Sequence, residues 1–295
     1  MKKIVKWAGI VLGSLLVLLL IAYGYIYSRT NSRFNQEYAI TIQKITIPTD
    51  SASLKLGHHI ANIKGCGGCH GEDLGGKVVL DDPGLGYLPA PNITTGKGGL
   101  LSRHQTYSDE DYIRAIKHGI GKDNRSLKLM PAYEYNPLSQ KDLGALIAYV
   151  KSVVPVDRQM PATDLKPVAY VLTYLDKLPL VAAEKVDHAV QSKEEVLPEV
   201  SAAYGQYLAV SCTGCHRDNY KGGEALIPGS PAVSDITATG NVGKWTEAEF
   251  IQAMRTGITP EGKKLDPEYL PWPMTREYTE TEIKSLYLFL TGLRS

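Results

Sequence analysis

Apolar residues in this chain form one long run and then short segments at helical spacing. Residues 4–27 are almost wholly apolar, from Ile4 through the leucine-rich stretch 15–20 to Tyr27. That is about the length that crosses a hydrocarbon core. Lys2, Lys3 and Lys6 precede or open the run, which favours an N-terminus on the cytoplasmic side. Trp7 near one end and Tyr23, Tyr25 and Tyr27 near the other match interfacial aromatics. A cleaved signal peptide is the competing reading. Against it, the run is long and no small-x-small site precedes Ser28-Arg29. The pattern predicts an uncleaved, single-pass transmembrane signal anchor over residues 1–30 and a polar tether over 31–50.

Beyond residue 50 the apolar positions take the period of amphipathic helices, as in Leu143, Leu146, Ile147 and Val150. Four helix starts carry one signal: Ser108, Ser139, Thr246 and Thr279, each followed three residues later by Asp111, Asp142, Glu249 and Glu282. The hydroxyl accepts a first-turn N–H and the acid favours the positive helix end. Gly121 and Gly257 are the expected stops. Stretches 81–99 and 228–243 are rich in Gly and Pro and read as loops, and no alternating strand stands out.

The chain also repeats itself. Gly57 matches Gly205, Leu74-Gly75-Gly76 matches Lys221-Gly222-Gly223, and Pro91-Asn92-Ile93-Thr94 matches Ser234-Asp235-Ile236-Thr237. Residues 112–120 match 250–258, and each half closes with an amphipathic segment, 142–153 and 282–293. Gly57 and Gly205 are expected to admit the C-terminal helix of their half closely, under Tyr149 and Phe289; ordinary loop or helix-end glycine is the alternative. The fold expected is all-α, an N-terminal transmembrane helix followed by two small tandem helical domains, 51–154 and 201–295. Residues 155–200 join them. This connector holds five prolines and an apolar stretch, 168–181, too short to span a membrane and expected to lie along the domains as a strap.

Composition adds little until the cysteines are reached. The chain has 295 residues and a net charge of +1, so nothing suggests a nucleic-acid partner. All four cysteines lie in Cys66-Gly67-Gly68-Cys69-His70 and Cys212-Thr213-Gly214-Cys215-His216. Each is C-x-x-C-H, the attachment signature of a c-type haem. Two thiols at this spacing can form thioethers to the two vinyl groups of one haem, and the adjacent histidine can supply an axial imidazole. A zinc or redox C-x-x-C reading would need further Cys or His ligands at close spacing, and none follow. Two covalently bound c-type haems are predicted, held by Cys66, Cys69 and His70 and by Cys212, Cys215 and His216. No cysteine remains for a disulfide.

A haem that only transfers electrons is usually closed on its second side, often by methionine. Met130, followed by Pro131 before the last helix of its half, is the candidate metal ligand opposite His70. In the second half Pro271 pairs with Pro131, so Leu270 stands where Met130 does. The nearest thioether is Met274, four residues later, assigned opposite His216 with an open or unidentified sixth position as the alternative. Met254 reads as core and Met160 as connector. His58, His59, His104, His118 and His188 read as surface or loop residues. Lys117 and Arg255 pair across the repeat, either facing haem propionates or forming a solvated basic face.

These motifs resemble the bacterial class I c-type cytochromes. The resemblance is closer to the membrane-anchored multihaem cytochromes that serve as electron-transfer subunits of periplasmic dehydrogenases. The residues that carry it are the two C-x-x-C-H motifs, Ala90-Pro91-Asn92-Ile93-Thr94, Leu129-Met130-Pro131, and Leu138-Ser139 leading into residues 143–149. It implies two tandem class I cytochrome c domains and a Pro91 carbonyl holding the proximal histidine. The implied role is single-electron relay, without enzymatic activity of its own. The chain would pass electrons between a periplasmic or membrane donor and a respiratory acceptor, with a dehydrogenase, quinol-oxidising complex or terminal oxidase as partner. The implied location is the cytoplasmic membrane, with the haem domains on the periplasmic or extracellular side. Two other classes stay open: a dihaem peroxidase or small-molecule reductase with an open second haem, and a haem-based sensor.

Overall fold

The structure is a computed structural model, and it describes residues 2–225, 231–267, 269 and 272–293. It opens with α1 (Lys2–Phe34), 33 residues and about 50 Å at 1.5 Å per residue. Its most apolar 18-residue window has a mean hydropathy of 2.5 and none of it is buried, so α1 is long and apolar enough to cross a membrane. The helix continues past residue 30 because nothing in Ser28–Phe34 breaks it, and Arg33 in the last turn suits its negative end.

Residues 35–50 then run without helix along the first half. The Tyr38 N–H donates to Asn124 O at 2.9 Å, Gln43 brackets the Ser192 backbone, and Ile42, Ile45 and Ile47 pack on the core. The stretch expected to be a tether is therefore seated on the protein over much of its length.

The first half contains α2 (Ser51–Ile63), α3 (Cys66–His70), β1 (Lys77–Asp82), β2 (Gly86–Ala90), α4 (Leu100–His104), α5 (Asp109–His118), α6 (Ala132–Tyr135) and α7 (Gln140–Ser152). In the connector lie β3 (Asp164–Leu165), α8 (Pro167–Tyr174) and a 3-10 turn (Ala182–Lys185). The second half contains α9 (Ala202–Ala209), α10 (Thr213–His216), α11 (Glu247–Thr256), α12 (Trp272–Thr275) and α13 (Glu280–Gly292). Each half packs its first helix on its last, α2 on α7 and α9 on α13. Around these pairs close two apolar cores, one holding Ile60, Ile113, Leu143 and Leu146 and the other Leu208, Phe250, Ile283 and Leu286.

Gly57 and Gly205 sit at these crossings, where an added Cβ would lie 2.6 Å from the carbonyl carbon of Ala145 or of Ser285. Tyr149 and Phe289 flank the same points, at 2.7 and 2.8 Å from the added carbon. All four expected N-caps form. Ser108, Thr246 and Thr279 close complete capping boxes. Ser139 accepts from the Asp142 N–H, while the Asp142 carboxylate bonds Tyr207. The left-handed stop of α5 is Gly119 instead of Gly121, the true repeat partner of Gly257.

One sequence expectation needs correction. Part of the stretch read as loop, 81–99, joins a small antiparallel sheet of order β1-β2-β3. Asp82 closes the hairpin, its Oδ1 accepting from the Gly84 and Leu85 N–H groups at 2.8 Å. Residues 77–80 alternate poorly and stay largely exposed, so their pattern did not mark a strand.

The connector divides. Leu180–Val186 is largely buried against the first half, with the Ala182 N–H on Leu127 O. By contrast, α8 packs on α1. Arg33 ties the two regions together, donating to Thr173 O, Asp176 and Glu184.

The halves meet in a pseudo-two-fold arrangement. His59 of α2 bonds Glu282 of α13 at 2.8 Å. Tyr207 of α9 donates to Asp142 of α7 at 2.5 Å. His59 and Tyr207 each stand two residues after the crossing glycine, and Asp142 and Glu282 each stand three residues after the N-cap of the closing helix. Each half thus binds the other's first-turn acid.

Candidate functional site

Each C-x-x-C-H motif ends a helix-and-turn. Gly65, in left-handed conformation at φ 68°, breaks the chain after α2 and starts α3. In the helical turn of α3, Cys66 and Cys69 stand three residues apart, so both thiols share a face, with His70 beside them. In the second half Cys212 closes a 3-10 turn and α10 carries Cys215 and His216. Burial pushes the Cys66 and Cys212 thiols up to about 12. They are therefore neutral thiols at ordinary pH. Among the described residues no group of three or more His, Cys, Asp or Glu is placed to hold a metal ion.

The two histidines are oriented alike. His70 Nδ1 lies 2.9 Å from Pro91 O, and His216 Nδ1 lies 2.8 Å from Ser234 O. A carbonyl only accepts, so Nδ1 carries the proton in both rings and the Nε2 lone pair is left for a metal. Burial lowers the pKa of both histidines, which keeps the rings neutral. The carbonyls are fixed by matching turns. Asn92 Oδ1 accepts from the Thr94 N–H and hydroxyl, and Asp235 Oδ1 does the same for Thr237. Pro91 thus makes the contact expected of it, and Ser234 makes it in the second half, where the sequence offers no proline as a clue.

Met130 follows Leu129, held at φ 61°, and packs on the first core together with Cys66, Tyr107 and Ile116. Met254, the repeat partner of Ile116, packs on the second core as Ile116 packs on the first. Met274 lies on α12, and its Sδ rests against Gly65 of the first half, 2.8 Å from where a Cβ would stand. Its repeat partner is Glu134, whose Oε1 rests in the same way against Gly214 of the second half. Leu270, with Glu268 and Pro271, lies outside the described residues.

Between the two motifs is a buried polar group that sequence reasoning missed. Lys64 Nζ donates to Ser211 Oγ at 2.7 Å, joining the residues ahead of Cys66 and Cys212. Tyr135 donates to Lys64 O. Burial drives the Lys64 pKa down and raises Glu134 to about 7. Nothing short of the tertiary contact joins these residues.

Other sequence expectations are corrected here. Lys117 neither forms a solvated face nor turns to a cofactor. It is buried and donates to Asn136 O and Ser192 Oγ at 2.9 and 2.7 Å. Arg255 donates to Arg276 O. His59 is an inter-half ion-pair residue, and His118 is buried with Nδ1 3.1 Å from that of His188. His58 and His104 lie beside the Tyr149 and Tyr107 rings.

With this geometry in view, comparison with known proteins is informative. Residues 52–150 match the family of cytochrome c oxidase, cbb3-type, subunit III, and residues 202–294 match the cytochrome c family. The fructose dehydrogenase cytochrome subunit of Gluconobacter japonicus is 27% identical over 73% of this chain and 47% of its own length. The cytochrome c subunit of alcohol dehydrogenase (quinone) from Gluconobacter oxydans is 25% identical over 70% of this chain and 48% of its own length. The gluconate 2-dehydrogenase cytochrome c subunit of Pantoea cypripedii is 26% identical over 70% of this chain and 52% of its own length. The chain thus spans about half the length of these relatives.

Proposed function

We propose that this chain, whose two halves are cytochrome c domains resembling the cytochrome subunits of dehydrogenases, is a membrane-anchored relay of single electrons. The two domains carry two c-type haems. A bound haem supplies a one-electron iron couple, and the protein sets its potential and spacing. Cys66 with Cys69, and Cys212 with Cys215, are the thioether anchors. His70 and His216 are the proximal ligands. The observation that carries this reading is the matched pair of Nδ1 contacts to Pro91 O and Ser234 O, which frees Nε2 on both rings.

Met130 is the sixth ligand of the first iron, supported by its packing on the same apolar core as Cys66. Met274 is the sulfur donor assigned to the second. Ligation there requires the thioether to swing away from Gly65, where it now rests. The domains are 51–154 and 201–295, with α1 as a single-pass anchor and the haem-bearing halves on the periplasmic or extracellular side. The donor partner is a dehydrogenase, by analogy with the relatives, which are cytochrome subunits of dehydrogenases. A respiratory complex accepts the electrons.

Carbon monoxide binding to the reduced holoprotein, with covalent haem quantified in the same sample, tests the reading. Two haems per chain and no carbon monoxide shift are expected of a closed relay. One haem that binds readily would remove Met274 as ligand and reopen small-molecule chemistry at the second iron. Fewer than two covalent haems would sink the assignment of the two motifs.

A further inference from the structure

Among the described residues, Val168 of the connector helix α8 and Leu175 at its C-cap are largely uncovered, and Leu172 between them is half-buried. Val168, Leu172 and Leu175 recur at i, i+4 and i+7 and form one stripe. Val168 is 48% and Leu175 54% exposed, while Ala169 and Thr173, on another face, are buried. An exposed apolar stripe of this kind can seat an apolar occupant.

Its location identifies one. α8 packs on the outer end of α1, and their aromatic rings interlock there. Tyr174 meets Tyr25 edge-on at 6.2 Å, and Tyr170 lies 4.8 Å from Tyr27 and 5.8 Å from Phe34. Thr30, fully buried, donates to Tyr170 O. About 20 residues of α1 fill a hydrocarbon core, and a count from Ile4 places its edge near Tyr23. Tyr25 is then within about one turn of that edge, and Tyr174 is held beside it. The apolar surface of α1 therefore continues onto α8 at the level where aromatic residues collect. Arg29 and Lys177 are exposed around the junction and suit anionic headgroups, while Lys166 there is paired with Asp164 at 2.6 Å. The Arg33 contacts to Asp176 and Glu184 add to the aromatic packing that ties α8 to α1.

We propose that α8 is a second membrane contact, lying in the lipid–water interface with Val168, Leu172 and Leu175 against the bilayer. It would act with α1 to fix the tilt of the two haem domains over the membrane. The inference rests on the anchor reading of α1 and goes beyond it, because a single anchor alone leaves the domains free to rotate.

Site-directed spin labelling tests it in the full-length holoprotein, whose own cysteines are all consumed by haem. Single labels are placed at V168C, L175C, L16C in α1, and L197C, a leucine 64% exposed next to Val196, which packs on the second core. The protein is reconstituted in phosphatidylethanolamine/phosphatidylglycerol vesicles. Power saturation is compared with oxygen, with a water-soluble nickel chelate, and with neither; relaxation by the ferric haems cancels in the differences. Residues 168 and 175 are expected to favour oxygen over nickel, as residue 16 does, while residue 197 shows the reverse. Aqueous behaviour at 168 and 175 with residue 16 in the bilayer overturns the proposal and leaves the anchor standing. Shielding of 168 and 175 from both reagents assigns the stripe to a protein partner and also overturns it. Aqueous behaviour at residue 16 overturns the anchor and the proposal together.

Discussion

Substituting Gly57 with alanine sets two effects of opposite sign against each other. Gly57 lies inside α2, where alanine is intrinsically better by about 1 kcal/mol. The added Cβ, however, meets the Ala145 carbonyl carbon at 2.6 Å and Tyr149 Cβ at 2.7 Å, well inside van der Waals contact. Backbone of α7 cannot rotate away as a long side chain can, so the α2–α7 pair must separate. Overpacking of this kind costs about 1–3 kcal/mol, or more where backbone must move. The upper part of that range should apply, leaving a net loss of about 2 kcal/mol and a Tm lower by roughly 4–8 °C at ~2–4 °C per kcal/mol. Gly205→Ala should behave alike, since Ser285 and Phe289 occupy the same positions in the second half. Gly292→Ala is the control, with nothing within 4 Å of its added carbon. Thermal unfolding of the holoprotein, followed by circular dichroism and Soret absorbance, reads the outcome. A Gly57→Ala protein as stable as the Gly292→Ala control would refute the close-approach argument.

Four further outcomes are expected. Met130→Ala should add one haem equivalent of carbon monoxide binding to whatever the wild type shows and lower the midpoint potential of that haem; redox titration checks the second part. Tyr207→Phe removes the donor to the half-buried Asp142 carboxylate and should cost about 1.5–3 kcal/mol in denaturant unfolding, the range for a bond to a charged group. The His59–Glu282 pair sets a pH window. Its hydrogen bond to Glu282 raises His59, so that contribution is full below about 6.5 and is lost as pH rises through the raised value. Glu282 is lowered, against its burial, by His59 and the Thr279 cap, so its share is full above about 4.5 and is lost as pH falls through the lowered value. Tm against pH should therefore lose its alkaline decline in His59→Gln. Burial holds His118 down to about 4, so stability should fall as pH drops from about 6.5 toward 4; His118→Gln should flatten that limb of the same profile.

Features that depend on neighbours along the chain were legible in the sequence. The repeat, the helix starts at Ser108, Ser139, Thr246 and Thr279, the long apolar helix and the two C-x-x-C-H turns all rest on local periodicity or on hydrogen bonds spanning three residues. Gly57 and Gly205 were legible for a related reason, because a small residue at the same place in both halves marks a shared close packing. The hairpin at 77–90 was not legible, since its exposed first strand lacks alternation.

What the sequence alone determined is thus the content of each half: its helices, the thiols and imidazole of its motif, and the long apolar helix ahead of both. Only the tertiary structure decided how these parts meet. It joined His59 to Glu282 and Tyr207 to Asp142, set Lys64 and Glu134 between the motifs, turned Met274 toward Gly65, and laid α8 on α1. These contacts join residues far apart along the chain. Their energy comes from burial and from pairing polar groups that have no local partner, so no periodicity or spacing within one segment records them.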